Sequence, residues 1–191
     1  MKKQTFFLII FCIFLTIFLL LFSYKTVLSL SSLSTNQQTT INYLQKNQPL
    51  ALNYTSQELS HLEDVKRVMN YSDYFFYLSL FVCTLILTYY KRNKTQLTKL
   101  FFSGGLTTII STLTISIFSL LSFNFAFTLF HKLFFPQGNW QFSINSLLIQ
   151  TFPLEFFVRM SFFIIGLTLI LGIFIVVVVY KYKNNSLITF K

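Results

Sequence analysis

Hydrophobic positions in this chain gather into four long apolar runs, at about 5–23, 74–90, 102–123 and 158–180, separated by polar connections of unequal length. Each run reaches or approaches the roughly 20 residues that a helix needs to cross a bilayer. The third stands out, because no charge occurs from Phe102 to Phe130, and it opens with Gly104-Gly105, a pair that permits close helix contact or a kink. Asn124 marks where this run leaves the hydrocarbon. The expected fold is an all-α integral membrane protein: four transmembrane helices forming one membrane domain over 1–191, with two long connections carrying short helices.

The connections differ in character. Val27–Gln48 is rich in Ser, Thr, Asn and Gln and reads as an extended or weakly ordered segment that Pro49 closes. Asn53-Tyr54-Thr55 matches a glycosylation sequon, a pattern too short to carry weight. From Thr55 to Met69 the spacing changes. Thr55 with Glu58, and Ser60 with Glu63, each fit a capping box, in which hydroxyl and carboxylate satisfy orphan N–H groups at a helix start. Leu59, Leu62, Val65, Val68 and Met69 recur at helical spacing, which predicts an amphipathic helix running into the second apolar run. His61 lies one turn before Asp64, close enough for the carboxylate to orient the imidazole. The bland alternative is a solvated face, with Glu63, Lys66 and Arg67 as ordinary surface pairs.

The other connection, 131–157, is aromatic and irregular. It carries His131, Phe134, Phe135, Trp140 and Phe142, broken by Pro136 and Gly138, with a second break at Pro153. Trp and Phe beside a turn suit a chain lying at the lipid headgroup level. Glu155 and Arg159 stand four apart at the mouth of the last run, where a local ion pair and a functional intramembrane charge are both open readings.

Composition and charge fix the class and the orientation. The 191 residues are 54% hydrophobic and only 10% charged, far below the quarter or so of soluble domains. Lys2, Lys3, Lys91, Arg92, Lys94, Lys99, Lys181, Lys183 and Lys191 flank the runs with no acid near them. Glu58, Glu63, Asp64, Asp73 and Glu155 all fall in the other connections. The positive-inside rule then places residues 1–4, 91–99 and 181–191 in the cytoplasm, with 24–73 and 131–157 outside. The net charge of +10 is thus a topology signal, and no basic soluble face points to nucleic acid. Met1-Lys2-Lys3 before an apolar core also fits a signal peptide, but the length of the run favours an uncleaved anchor.

Candidate chemistry is sparse. Cys12 and Cys83 lie within runs and behave as small apolar residues. No phosphate-binding loop, nucleophile elbow or zinc pair is present. That leaves the two histidines of the chain, both in the external, membrane-adjacent connections. Three function classes fit: an enzyme using both imidazoles, a non-enzymatic assembly or accessory protein binding a partner through its loops, and a metal sensor combining the histidines with Glu63 or Asp64.

Three blocks carry a resemblance. They are Ser60-His61-Leu62-Glu63-Asp64-Val65; His131 followed by Phe134-Phe135-Pro136, Gly138, Trp140 and Phe142; and Leu148-Ile149 followed by Pro153 and Phe156-Phe157. Together with the span pattern they resemble a family of four-span bacterial membrane proteins that includes the lipoprotein intramolecular transacylase. The resemblance implies a plasma-membrane enzyme with its site at the extracytoplasmic face. It would move the sn-2 acyl chain of a diacylglyceryl-cysteine lipoprotein to the cysteine α-amine, giving the lyso-form. No cofactor or metal is implied, and the partners are the lipoprotein substrate and membrane lipid. His131 is then expected as base and His61 in support, as acid or oxyanion partner, with Asp64 orienting His61. Glu155 and Arg159 are further supporting candidates, and Phe134, Phe135, Trp140 and Phe142 would bound the acyl groove.

Overall fold

The structure, a computed structural model of the chain, describes residues 2–46 and 48–188, with side chains for 3–46 and 48–184. Lys191 and the side chain of Lys2, counted above among the basic ends, lie outside the described residues.

Seven helices follow in order: α1 Lys2–Leu30, α2 Thr35–Lys46, α3 Ser56–Tyr90, α4 Lys94–Leu121, α5 Phe123–Phe134, α6 Leu147–Thr151 and α7 Leu154–Ile188. Four of them, α1, α3, α4 and α7, are long and apolar enough to cross a membrane. No strand occurs among the described residues. The chain is an all-α membrane protein, as the apolar runs predict. Inside a bilayer only a helix satisfies each backbone N–H within its own segment, so an apolar run of this length has little choice.

The helices extend past the apolar runs because polar caps and loop packing continue them. α3 begins at Thr55, whose side chain accepts from Glu58 N at 3.3 Å while Glu58 Oε2 accepts from Thr55 N at 2.7 Å. The predicted capping box is real and sets the helical register 19 residues ahead of the second run. Ser60 and Glu63, by contrast, sit inside this helix and cap nothing.

Val27–Gln48 is not an extended segment. α1 runs on to Leu30, and α2 forms from Thr35. Ser34 N donates to Gln37 Oε1 at 3.0 Å and Gln37 N to Ser34 Oγ at 3.3 Å, a reciprocal cap of Ser-x-x-Gln type that polar composition conceals. Ile41 and Leu44, three apart, bury one face of α2. Burial against the rest of the protein supplies what local propensity does not.

α4 packs most extensively on α7, and α1 on α4 and α3. The predicted close approach at Gly104-Gly105 is present. A Cβ on Gly105 would stand 3.1 Å from Gly172 O on α7, and one on Gly104 would meet Leu15 on α1. Thr16 and Thr108 hydrogen bond across α1 and α4 at 3.0 Å. Small residues and hydroxyls at helix contacts suit a bundle that lipid cannot drive together by hydrophobicity.

α4 ends at Leu121, where Ser122 leaves helical conformation, so the third run breaks two residues before Asn124. Lys3 over the Tyr89 ring, and Lys94 beside Tyr182, place the N-terminus, the α3–α4 turn and the late part of α7 at one end of the bundle. The opposite end has its own buried cluster: Leu28, Ile41, Leu44, Tyr54, Leu62, Leu148, Phe152, Phe156 and Met160. This second core holds both long connections and carries the histidines.

Candidate active site

The cap at Thr55 fixes which side chains of α3 face inward. Glu58, His61, Leu62 and Asp64 are all buried, whereas Glu63 is exposed. Glu58, 1% exposed, also accepts from Leu148 N at 2.8 Å, tying the start of α3 to the second residue of α6. Backbone donors from Leu148 and Thr55 outweigh the burial that opposes its charge, and hold this carboxyl below its ordinary range.

His131 comes from the last turn of α5. Beyond it the chain reverses through a turn in which Gly138 has φ 78°, a left-handed value that suits glycine. That reversal brings Asn139 and Phe142 back over α3 and Trp140 onto α5. The rings of His61 and His131, 70 positions apart in sequence, stand 6.4 Å apart and within 23° of parallel. Phe135, 3% exposed, contacts both, at 4.7 Å from His61 and 5.6 Å from His131. Phe142 lies 5.5 Å from His61, and Trp140 and Phe127 lie 4.8 and 4.0 Å from His131. The two imidazoles share one aromatic nest.

Such a nest keeps imidazole neutral. Burial, then the neighbouring His131, hold His61 down at about 4 against an ordinary 6.5, with Asn139 and Asp64 acting the other way. Burial also lowers His131, offset in part by its bond to Phe127 O. That bond decides a tautomer. The carbonyl can only accept, so His131 Nδ1, at 2.8 Å, carries the proton and Nε2 of the neutral ring is a lone pair. A neutral ring with its lone pair on the free nitrogen has the form a general base requires.

Asp64 serves a different purpose from the one its spacing suggests. It makes no hydrogen bond to His61. Arg67 Nη2 pairs with its Oδ1, while Gln137 Nε2 and Asn139 Nδ2 donate to Oδ2, the latter at 2.8 Å. The carboxylate anchors the turn that follows α5. Gln137 and Asn139 are therefore site residues that sequence reasoning missed, and the only signal for them is two amides flanking a glycine in an otherwise aromatic block.

The remaining candidates lie further out. Phe134 is exposed and pairs with Phe130 at 4.7 Å, without ring contact to either histidine. Glu155 and Arg159 are exposed on the first turns of α7. They form no ion pair; among the described residues those are Lys25–Asp73 and Asp64–Arg67. No group of three or more His, Cys, Asp or Glu side chains there is arranged to hold a metal ion.

A family model described as lipoprotein intramolecular transacylase Lit matches residues 3–157. The chain belongs to that family. The matched stretch takes in both histidines, the Thr55 cap and the whole aromatic turn. An uncharacterized protein of Aquifex aeolicus (strain VF5) is 28% identical over 121 residues, 63% of this chain, and the match spans about half of that protein's length (54%). Among solved structures, the in meso structure of the membrane-integral lipoprotein intramolecular transacylase Lit from Bacillus cereus has a TM-score of 0.79 at 18% identity, over 97% of each chain. Structures of that protein with a histidine changed to arginine or to alanine give TM-scores of 0.78 and 0.80, at 19% and 18% identity. They cover 97% of this chain and 95% and 96% of theirs. This likeness establishes the shared fold.

Proposed function

We propose that the chain catalyses intramolecular acyl transfer on a bacterial lipoprotein, from the sn-2 oxygen of the diacylglyceryl group to the α-amine of the same N-terminal cysteine. The observation that carries the reading is the stacking of its two histidines in one aromatic nest, in a member of a family described by that activity.

The chemistry asks little beyond what these residues supply. The amine nitrogen forms a bond to the acyl carbon, the sn-2 C–O bond breaks, and one proton passes from nitrogen to the glycerol oxygen. Ester to amide is downhill, and both reactants belong to one molecule, so holding them in register supplies much of the rate. His131 Nε2 takes the proton from the attacking amine and returns it to the departing oxygen. His61 is the second group to hydrogen bond along this path. Phe135, Phe142 and Trp140 bound the acyl chain next to the imidazoles, and Phe134 extends that surface outward. Glu155 and Arg159, exposed and unpaired, are given no step. The site lies at the extracytoplasmic face of the plasma membrane, at the end of the bundle away from the basic α3–α4 turn, and both termini are cytoplasmic.

Purified protein given only a diacylglyceryl lipopeptide with a free amine should yield an isomer of unchanged mass whose moved acyl chain resists mild alkali. Loss of one fatty acid would identify a hydrolase, and gain of one an acyltransferase drawing on phospholipid. Either result overturns the proposal.

A further inference from the structure

Two buried polar atoms in this nest have no hydrogen-bond partner: His61 Nδ1 and Asn139 Oδ1. An unpaired buried polar atom is costly, so two on neighbouring side chains call for an explanation. They are neighbours by construction. Asn139 Nδ2 donates to Asp64 Oδ2 at 2.8 Å and to Ser60 Oγ at 3.1 Å. Ser60 precedes His61 in the chain, and Asp64 lies one turn after it on the same helix face. The carboxamide is therefore fastened across the turn that carries the imidazole, and its presence works against the lowering of the His61 pKa.

Its orientation is fixed chemically. A carboxylate only accepts, so the end of Asn139 facing Asp64 must be the NH2, and the oxygen must be the free end. An oxygen accepts too. It satisfies His61 only if Nδ1 carries the proton, and that single bond would pair both orphan atoms at once.

We infer that Asn139 is a positioning residue, whose carboxamide oxygen takes the Nδ1–H of His61 while Asp64 holds the amide the right way round. His61 then repeats the arrangement of His131, where a backbone carbonyl takes Nδ1–H. Both neutral rings offer an Nε2 lone pair and neither offers an N–H to an oxyanion. On the acyl-transfer reading, from which this follows, His61 accepts a hydrogen bond from the attacking amine. The donor to the developing oxygen is His131 once it is protonated.

The test is selective ¹⁵N-histidine labelling of the full chain in micelles, with tautomers read from two-bond ¹H–¹⁵N correlations at pH 7.5. Only two imidazoles contribute. Wild type should show Nδ1–H at both. Asn139→Leu should move His61 to the Nε2–H form and leave His131 unchanged. Asp64→Asn, which frees the amide to turn over, should shift His61 partway. Lipopeptide conversion by Asn139→Leu should fall in kcat by tenfold to a hundredfold, less than on removing the ring, with KM little changed. Nε2–H at His61 in the wild type overturns the inference without any variant. An unchanged tautomer or unchanged kcat in Asn139→Leu does the same. Absence of any conversion by wild type would instead refute the acyl-transfer reading, while the tautomer data still decide the role of Asn139.

Discussion

Glu58→Ala gives the sharpest check on how the site is held. Glu58 Oε2 takes Thr55 N at 2.7 Å and Thr55 Oγ1 at 2.9 Å, and Oε1 takes Leu148 N at 2.8 Å. Thr55 is exposed, so water replaces much of its loss. Leu148 is buried, and its N–H would be left unpaired at a cost of about 1–3 kcal/mol. Losing the reciprocal half of the cap adds about 1 kcal/mol. The sum is about 3 kcal/mol, equivalent to roughly 6–12 °C in a chain of this length. The assay is fluorescence-detected melting in detergent at one scan rate. The single tryptophan, Trp140, lies 4.8 Å from His131, so the signal reports on the site itself. Glu63→Ala, on the exposed side of the same turn, should change melting by little. Because hydrogen bonds lower the Glu58 pKa, its contribution is present above the ordinary carboxylate range and is lost as pH falls below it. The difference between wild type and Glu58→Ala should therefore shrink in acid. A Glu58→Ala variant melting within about 2 °C of wild type, or no differently from Glu63→Ala, would refute this account of the junction.

Other expectations follow from the same geometry. His61→Ala and His131→Ala should each reduce lipopeptide conversion by a factor on the order of 10²–10⁴ while the protein still accumulates in the membrane; wild-type rates in both would remove the imidazoles from the mechanism. The rate should climb with pH toward about 8 as the substrate amine loses its proton. Both imidazoles titrate below 6.5, so the neutral base persists through that point, and an imidazole inflection at or above 6.5 would contradict the burial described. Gly105→Leu should lower melting temperature and yield by pushing α4 off Gly172, whereas Gly166→Ala, with nothing within 4 Å of its added Cβ, should be tolerated. Topology reporters fused after Gln48 and Asn145 should read external and one after Lys94 cytoplasmic; a cytoplasmic reading at Asn145 would put the histidines on the wrong face.

What the sequence determined by itself was whatever depends on neighbours a few positions apart. The four apolar runs became the four long helices, because in a bilayer each such segment satisfies its own backbone. The Thr55–Glu58 cap was legible for the same reason, since both of its bonds span three residues. The Ser34–Gln37 cap is equally local, but the polar composition around it conceals it. Elimination and then family resemblance both point to His61 and His131, but no spacing rule relates residues 70 apart. Their meeting was decided by the break at Ser122, the reversal at Gly138 and the hold of Asp64 on Gln137 and Asn139. The sequence offered Asp64 to His61 because one helical turn separates them. Beside its local partner Arg67, tertiary structure gave it Gln137 and Asn139 instead, because a buried carboxylate needs strong donors on both oxygens and the folded turn delivers two of them there.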